Sequence, residues 1–118
     1  MSERSDWFAR PTSAFFLWCI PLAVGFATSR LGLPLGVAAA IWSALFVWMG
    51  AGCLINALRC HRLHCYISGP VFFLGALVTA LLAAGMALGP HALTNTVGFT
   101  LALALLSFLP EMIWRRYA

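Results

Sequence analysis

Two cysteines and two histidines lie within six residues near the middle of the chain, and they are Cys60, His61, His64 and Cys65. Thiolate and imidazole together bind soft or borderline ions such as Zn(II), Cu(I) or Hg(II). Four ligands from six residues of one helix are sterically awkward, so the stretch predicts two or three ligands for each ion. The histidines have a second interpretation as interfacial polar residues.

Helical spacing determines which of these side chains meet. In a helix that continues through the cluster, Cys60 lies over His64, and His61 lies over His64 and Cys65, because residues three or four apart share a face. Cys53 would lie on the face of Cys60, about 10 Å deeper in the membrane. The thiols would then bind an ion one after another along the helix, because they are too far apart to bind one ion together unless the helix breaks.

Two further residues belong with this cluster. Asn56 shares the predicted face of Cys53 and offers an amide to another helix. Cys19 lies on the first apolar run at a depth that matches Cys53, two residues before Pro21, which frees backbone carbonyls in the same turn. All four cysteines fall in the half of the bilayer assigned below to the cytoplasm, where thiols stay reduced, so metal or redox roles are favoured over disulfides. Singly, Cys19 and Cys53 have the alternative role of small buried hydrophobes.

The elements that carry these residues must be membrane helices. Of 118 residues, 63% are hydrophobic and 8% are charged, whereas soluble domains have about 45–50% apolar and about 25% charged residues. This composition excludes a soluble domain, a disordered chain and a nucleic-acid-binding protein. One crossing needs about 20 apolar residues. The chain therefore predicts a single all-α domain, residues 1–118, of four transmembrane helices over 13–29, 34–58, 68–88 and 92–113.

Local signals refine these spans. Ser68 is the predicted N-cap of the third span, with Pro70 in its first turn. The link of residues 89–91 is short, so the third and fourth spans should form an antiparallel hairpin. Glycines such as Gly50 and Gly75 mark predicted helix contacts, because helices in lipid associate through close backbone approach.

The arginines predict the orientation of the bundle. Six of the seven fall on one side of a four-span layout, and only Arg30 falls on the other. The positive-inside rule then places both termini and the middle link in the cytoplasm, as expected in a bacterial inner membrane. The six are Arg4, Arg10 and four topology anchors, Arg59, Arg62, Arg115 and Arg116. Glu111, at the end of the fourth span, is a functional candidate because it is an acid at membrane depth, but a helix-end pair with Arg115 four residues on is the favoured interpretation.

A small four-span chain with thiols placed through its helices resembles the mercury-resistance inner-membrane transport proteins. The resemblance rests on architecture and on the positions of Cys19, Cys53, Cys60 and Cys65. It implies transport of Hg(II) from thiol to thiol toward the cytoplasm, without enzymatic activity. The chain departs from that family in having one cysteine, Cys19, where the family has a pair.

Two other functions are compatible with the sequence. Helices rich in glycine and alanine also suit an accessory subunit that packs against a larger membrane complex, or a homo-oligomer. A redox protein would use His61 or His64 as haem ligands, or a cysteine pair in thiol exchange. Hydrolytic or transferase activity is not predicted, because no serine, histidine and acid are placed to act together.

Overall fold

The fold is that of a computed structural model that describes residues 11–86, 89 and 91–114, without the side chains of residues 11 and 60. In chain order its elements are α1 (Pro11–Ala14), a π-helical turn (Phe15–Cys19), α2 (Ile20–Ser29), α3 (Leu35–Cys60), α4 (Leu63–Ala83), α5 (Ala92–Leu106) and α6 (Leu109–Ile113). Four stretches of these helices are long and apolar enough to cross a membrane: Thr12–Ser29, Leu35–Arg59, Leu63–Ala83 and Ala92–Ile113. The predicted all-α bundle of four membrane helices is therefore confirmed.

The middle link differs from the continuous helix considered above. α3 ends at Cys60, and His61 takes a left-handed backbone conformation with φ of 56°. The His61 N–H still donates to the Ala57 carbonyl at 2.8 Å, which closes the last turn of α3. Arg62 is extended, and α4 begins at the next residue. The chain thus reverses within two residues, and α3 and α4 pack as an antiparallel pair.

The predicted boundaries of the third span, 68–88, are wrong. The helix begins at Leu63, so Pro70 lies inside it, and the Ser68 hydroxyl donates to the His64 carbonyl at 2.8 Å. The immediate chain reversal at His61 leaves no room for a loop and starts the helix five residues earlier. Its other end is set by Gly85, whose φ of 99° allows the Met86 N–H to reach back to the Leu81 carbonyl.

Close backbone approach holds α3 against α4. A Cβ atom added to Gly50 would lie 3.1 Å from the Cβ of Phe72 and 3.2 Å from the carbonyl oxygen of Gly69. Gly75, on α4, lies even closer to α5, because a Cβ added there would lie 2.6 Å from the Thr100 hydroxyl oxygen. Both glycines therefore lie at helix contacts, as the sequence predicts. The buried centre between these helices is apolar and includes Phe46, Met49 and Phe72.

Candidate metal centre

Three potential metal ligands meet where α3 turns into α4. Among the described side chains, Cys53, His64 and Cys65 bring one ligand atom each to within 4.8 Å of one another. All three side chains are fully buried, at 0% exposure. Two thiols and an imidazole at this separation are a soft-metal ligand set.

The break at His61 creates this group. Cys53 lies on α3, two turns before its end, whereas His64 and Cys65 lie in the first turn of α4. Because α4 runs back along α3, Cys65 reaches the depth of Cys53. The sequence allowed a shared ion only if the helix breaks, and the structure contains such a break after Cys60. The sequence did not identify Cys65 and His64 as the residues that meet Cys53.

Each sulfur accepts a hydrogen bond from a neighbouring N–H group. The Trp18 indole donates to the Cys53 sulfur at 3.4 Å, and the Asn56 amide donates to the Cys65 sulfur at 3.5 Å. Asn56 therefore bonds across to α4, in line with its predicted role between helices. Donors aimed at sulfur stabilise the negative charge of a thiolate, which is the form that binds a metal.

Glu111 orients the imidazole of His64. Its Oε1 atom lies 2.7 Å from His64 Nδ1 and 3.0 Å from the His64 backbone nitrogen. An ionised carboxylate only accepts hydrogen bonds, so Nδ1 carries the proton. The other ring nitrogen, Nε2, lies 3.4 Å from the Cys65 sulfur, so in the neutral imidazole its lone pair faces that sulfur. Metal-binding histidines are commonly held by a carboxylate in this way.

Arg62 holds the carboxylate in turn. Its Nε donates to one Glu111 oxygen at 3.1 Å and its Nη2 to the other at 3.3 Å. Both side chains are nearly buried, with 10% and 6% exposure. Arg62 thus has a structural partner in addition to its predicted role as a topology anchor, whereas Arg115, the predicted partner of Glu111, lies outside the described residues.

Sequence reasoning did not assign Glu111 to the site. An acid at membrane depth is by default a functional candidate, and that signal was available. Spacing favours the local pair with Arg115, because it cannot reveal a partner 47 residues away, which is the separation between His64 and Glu111.

Two aromatic rings lie against His64. Phe108 stacks on His64 with ring centroids 4.0 Å apart and planes 21° apart. The Trp18 ring stands edge-on to His64 at 6.1 Å and also contacts Phe72 and Phe108. All four spans therefore contribute side chains to the site.

Trp18 owes its position to the π-helical turn Phe15–Cys19. Pro21 has no backbone N–H, so the regular hydrogen-bond pattern cannot continue through this turn. The Ile20 N–H donates instead to the Phe15 carbonyl, five residues back. π-Helical turns within α-helices are frequent at functional sites, and here the turn directs an indole at a thiol.

The other predicted ligands lie elsewhere or outside the described side chains. Cys19 is exposed on the bundle surface, next in sequence to Trp18. His61 is half-buried, and its Nδ1 lies 2.5 Å from the Tyr66 hydroxyl. The side chain of Cys60 is outside the described set. Arg59, a predicted anchor, is exposed at the end of α3.

Comparison of the chain with protein-family models, with curated proteins and with solved structures finds no match. Four apolar helices and a buried Cys/His/Cys group fit a membrane protein that handles a metal ion.

Proposed function

We propose that this protein binds a soft metal ion within the membrane and transports it, with Cys53, His64 and Cys65 as ligands. The observation that carries the proposal is the convergence of two sulfurs and one imidazole within 4.8 Å in a fully buried position. Carboxylate orientation of His64 and N–H donors to both sulfurs support ligand chemistry over simple packing.

Hg(II) is the transported ion that the resemblance to mercury-resistance transporters suggests. Two thiolates and one Hg(II) ion form a neutral complex, which suits a site in lipid where net charge is costly. Cys19 is exposed and adjacent to the residue that contacts Cys53. In the proposed path, Cys19 receives the ion, Cys53 and Cys65 hold it, and Cys60 releases it.

The proposed direction of transport is into the cytoplasm of a bacterial cell, with both termini inside. The arginine distribution supports this orientation. The metal site lies at the end of the bundle that carries Arg59 and Arg62, so it would be the last buried station before release. Labelling of a cysteine placed in residues 1–10 by a membrane-impermeant maleimide, in intact and permeabilised cells, tests this orientation. Labelling in intact cells would contradict it.

Metal binding by purified protein tests the function. The variants Cys53→Ser and Cys65→Ser each remove one buried sulfur, and we expect each to lower the affinity for Hg(II) and Cu(I) by at least about 100-fold, since even outer-shell changes cost about 10–100-fold. Cys19→Ser is the matched control, because it removes an exposed thiol. It should retain the buried site and lose only uptake in a cell-based transport assay.

Two results would contradict the proposal. Unchanged stoichiometry and affinity in both Cys53→Ser and Cys65→Ser would exclude the buried group as the binding site. A loss of ion affinity in the Cys19→Ser control equal to that in the two buried-site variants would show that the buried thiols have no special role in binding.

A further inference from the structure

The candidate metal centre offers three ligands in surroundings that exclude water. Cys53, His64 and Cys65 have no exposed surface. Trp18 and Phe108 lie against the imidazole from two directions, edge-on and face-on. These two rings occupy space beside His64 through which water would otherwise reach an ion held by the three ligand atoms, and the Trp18 N–H lies against the Cys53 sulfur.

The nearest other polar side chains are engaged. Glu111 accepts hydrogen bonds from Arg62 and His64. The Ser68 hydroxyl donates to the His64 carbonyl and also lies beside the Cys53 sulfur, but a hydroxyl is not among the usual zinc ligands of proteins. Cys60 follows Cys53 by two helical turns, which separates the two along the helix axis by about 10 Å. Among the described side chains, the Cys/His/Cys group thus stands as a set of three.

We propose that Trp18 and Phe108 form a wall that keeps the site three-coordinate, so that it selects soft d10 ions of low coordination number, Cu(I) or Hg(II), against Zn(II). This inference rests on the proposed function. Zn(II) in proteins takes four ligands, and a site with three protein ligands completes the set with water. Cu(I) and Hg(II) are satisfied by two or three ligands, of which thiolates are the preferred type. The wall therefore makes Trp18 and Phe108 specificity-determining residues.

Coordination number can be measured directly on the wild-type protein. Co(II) replaces Zn(II) and shows intense visible absorption when it is tetrahedral. We expect wild-type protein to show no tetrahedral Co(II) spectrum. X-ray absorption of the Cu(I) and Hg(II) complexes should show two sulfur neighbours, with at most one nitrogen. A four-coordinate spectrum in the wild type would overturn the inference, and its loss in Cys60→Ser would identify Cys60 as the missing ligand.

Replacement of Trp18 tests the wall. Trp18→Ala leaves a space beside polar ligands, which a water molecule can occupy. We expect the ratio of Zn(II) to Cu(I) affinity to rise by about tenfold, a typical effect of residues around a metal site, and a tetrahedral Co(II) spectrum to appear. If Trp18 has only a structural role, Trp18→Ala would lower the affinity for Zn(II) and for Cu(I) by the same factor and leave their ratio unchanged.

Two further variants separate the wall from other effects of the indole. Trp18→Phe keeps an aromatic ring but removes the N–H donor to Cys53, and it should still show no tetrahedral Co(II) spectrum. Trp48→Ala is the matched control, because the Trp48 indole also donates a hydrogen bond between the first span and α3, to the Phe16 carbonyl, yet it is exposed. Its ion preference should equal that of the wild type.

The outcomes distinguish this inference from the proposed function. If the wild type binds neither Cu(I) nor Hg(II), the proposed function fails and the inference falls with it. If the wild type binds these ions but also forms a tetrahedral Co(II) site, the inference alone is wrong. Should Trp18→Ala not fold, the wild-type spectra and Trp18→Phe still decide the question.

Discussion

Replacement of Glu111 by glutamine separates the orientation of His64 from the stability of the bundle. The change removes the negative charge but keeps the size of the side chain. The glutamine amide has one oxygen, which can take the place of Oε1, beside His64 and Arg62 Nε, or of Oε2, beside Arg62 Nη2. Its NH₂ group takes the other place and points donors there. With the NH₂ group toward His64, the proton moves to Nε2, and the lone pair that faces the Cys65 sulfur is lost.

The structure sets the size of both effects. Removal of one member of a buried ion pair costs about 3–5 kcal/mol, because the remaining charge is left without compensation. With 10% and 6% exposure, Arg62 and Glu111 fall in that class. Loss of the carboxylate that orients a ligating histidine lowers metal affinity by about 10–100-fold. We therefore expect Glu111→Gln to be destabilised and to bind Cu(I) or Hg(II) at least about tenfold more weakly.

Two assays on the same variants separate these effects. Unfolding in detergent measures stability, and competition with a chelator measures ion affinity. The double variant Arg62→Met with Glu111→Gln removes the uncompensated charge, so it should recover stability while its ion affinity stays low. Arg30→Gln, a charge change at the opposite end of the bundle, should match the wild type in both assays. The expected loss of ion affinity in Glu111→Gln is about an order of magnitude. An affinity within about twofold of the wild type would refute the orientation of His64 by the carboxylate.

Two further predictions concern the hairpin that forms the site. Gly50→Ala should lower the stability of the bundle by about 1–3 kcal/mol through overpacking against Phe72 and Gly69. The control Gly98→Ala should not lower stability, because an added Cβ there meets no atom within 4 Å. Equal stability of the two variants on unfolding would show that α3 and α4 do not approach as closely as described. At the turn, His61→Gly should preserve stability and ion affinity because glycine tolerates a φ of 56°. His61→Val should lower the stability of the bundle by about 1–2 kcal/mol and weaken ion binding. Loss of ion affinity in His61→Gly would instead assign the imidazole of His61 a direct role in ion binding.

The membrane helices could be predicted because their signal is local. Each span is a run of apolar residues of the length that a bilayer requires, and no knowledge of neighbouring helices is needed to find it. The start of α4 is different, because residues 63–67 include His64, which hydropathy does not mark as part of a span. That boundary is set by the backbone reversal at His61, a conformation that non-glycine residues rarely adopt.

The site was predictable in its residue types but not in its membership. Cys53, His64 and Cys65 were all candidates, yet which of them share an ion depends on the register of α3 against α4. That register is fixed by contacts such as Gly50 with Gly69, which are distant in sequence. Glu111 and Trp18 approach from the fourth and first spans, so their roles required the packed bundle.

Glu111 also connects the metal ligands to the folding of the hairpin. The His64 N–H lies in the first turn of α4, where backbone donors have no partner within the helix, and Glu111 accepts from it at 3.0 Å. The same carboxylate oxygen holds His64 Nδ1 and the Arg62 guanidinium, and a negative charge is favourable at a helix N-terminus. Glu111, which orients the imidazole of His64, is therefore also the hydrogen-bond acceptor for a backbone N–H in the first turn of α4. An ion that binds only the folded site stabilises it. Ion binding at the proposed site would therefore strengthen closure of the α3–α4 turn, and closure would strengthen ion binding.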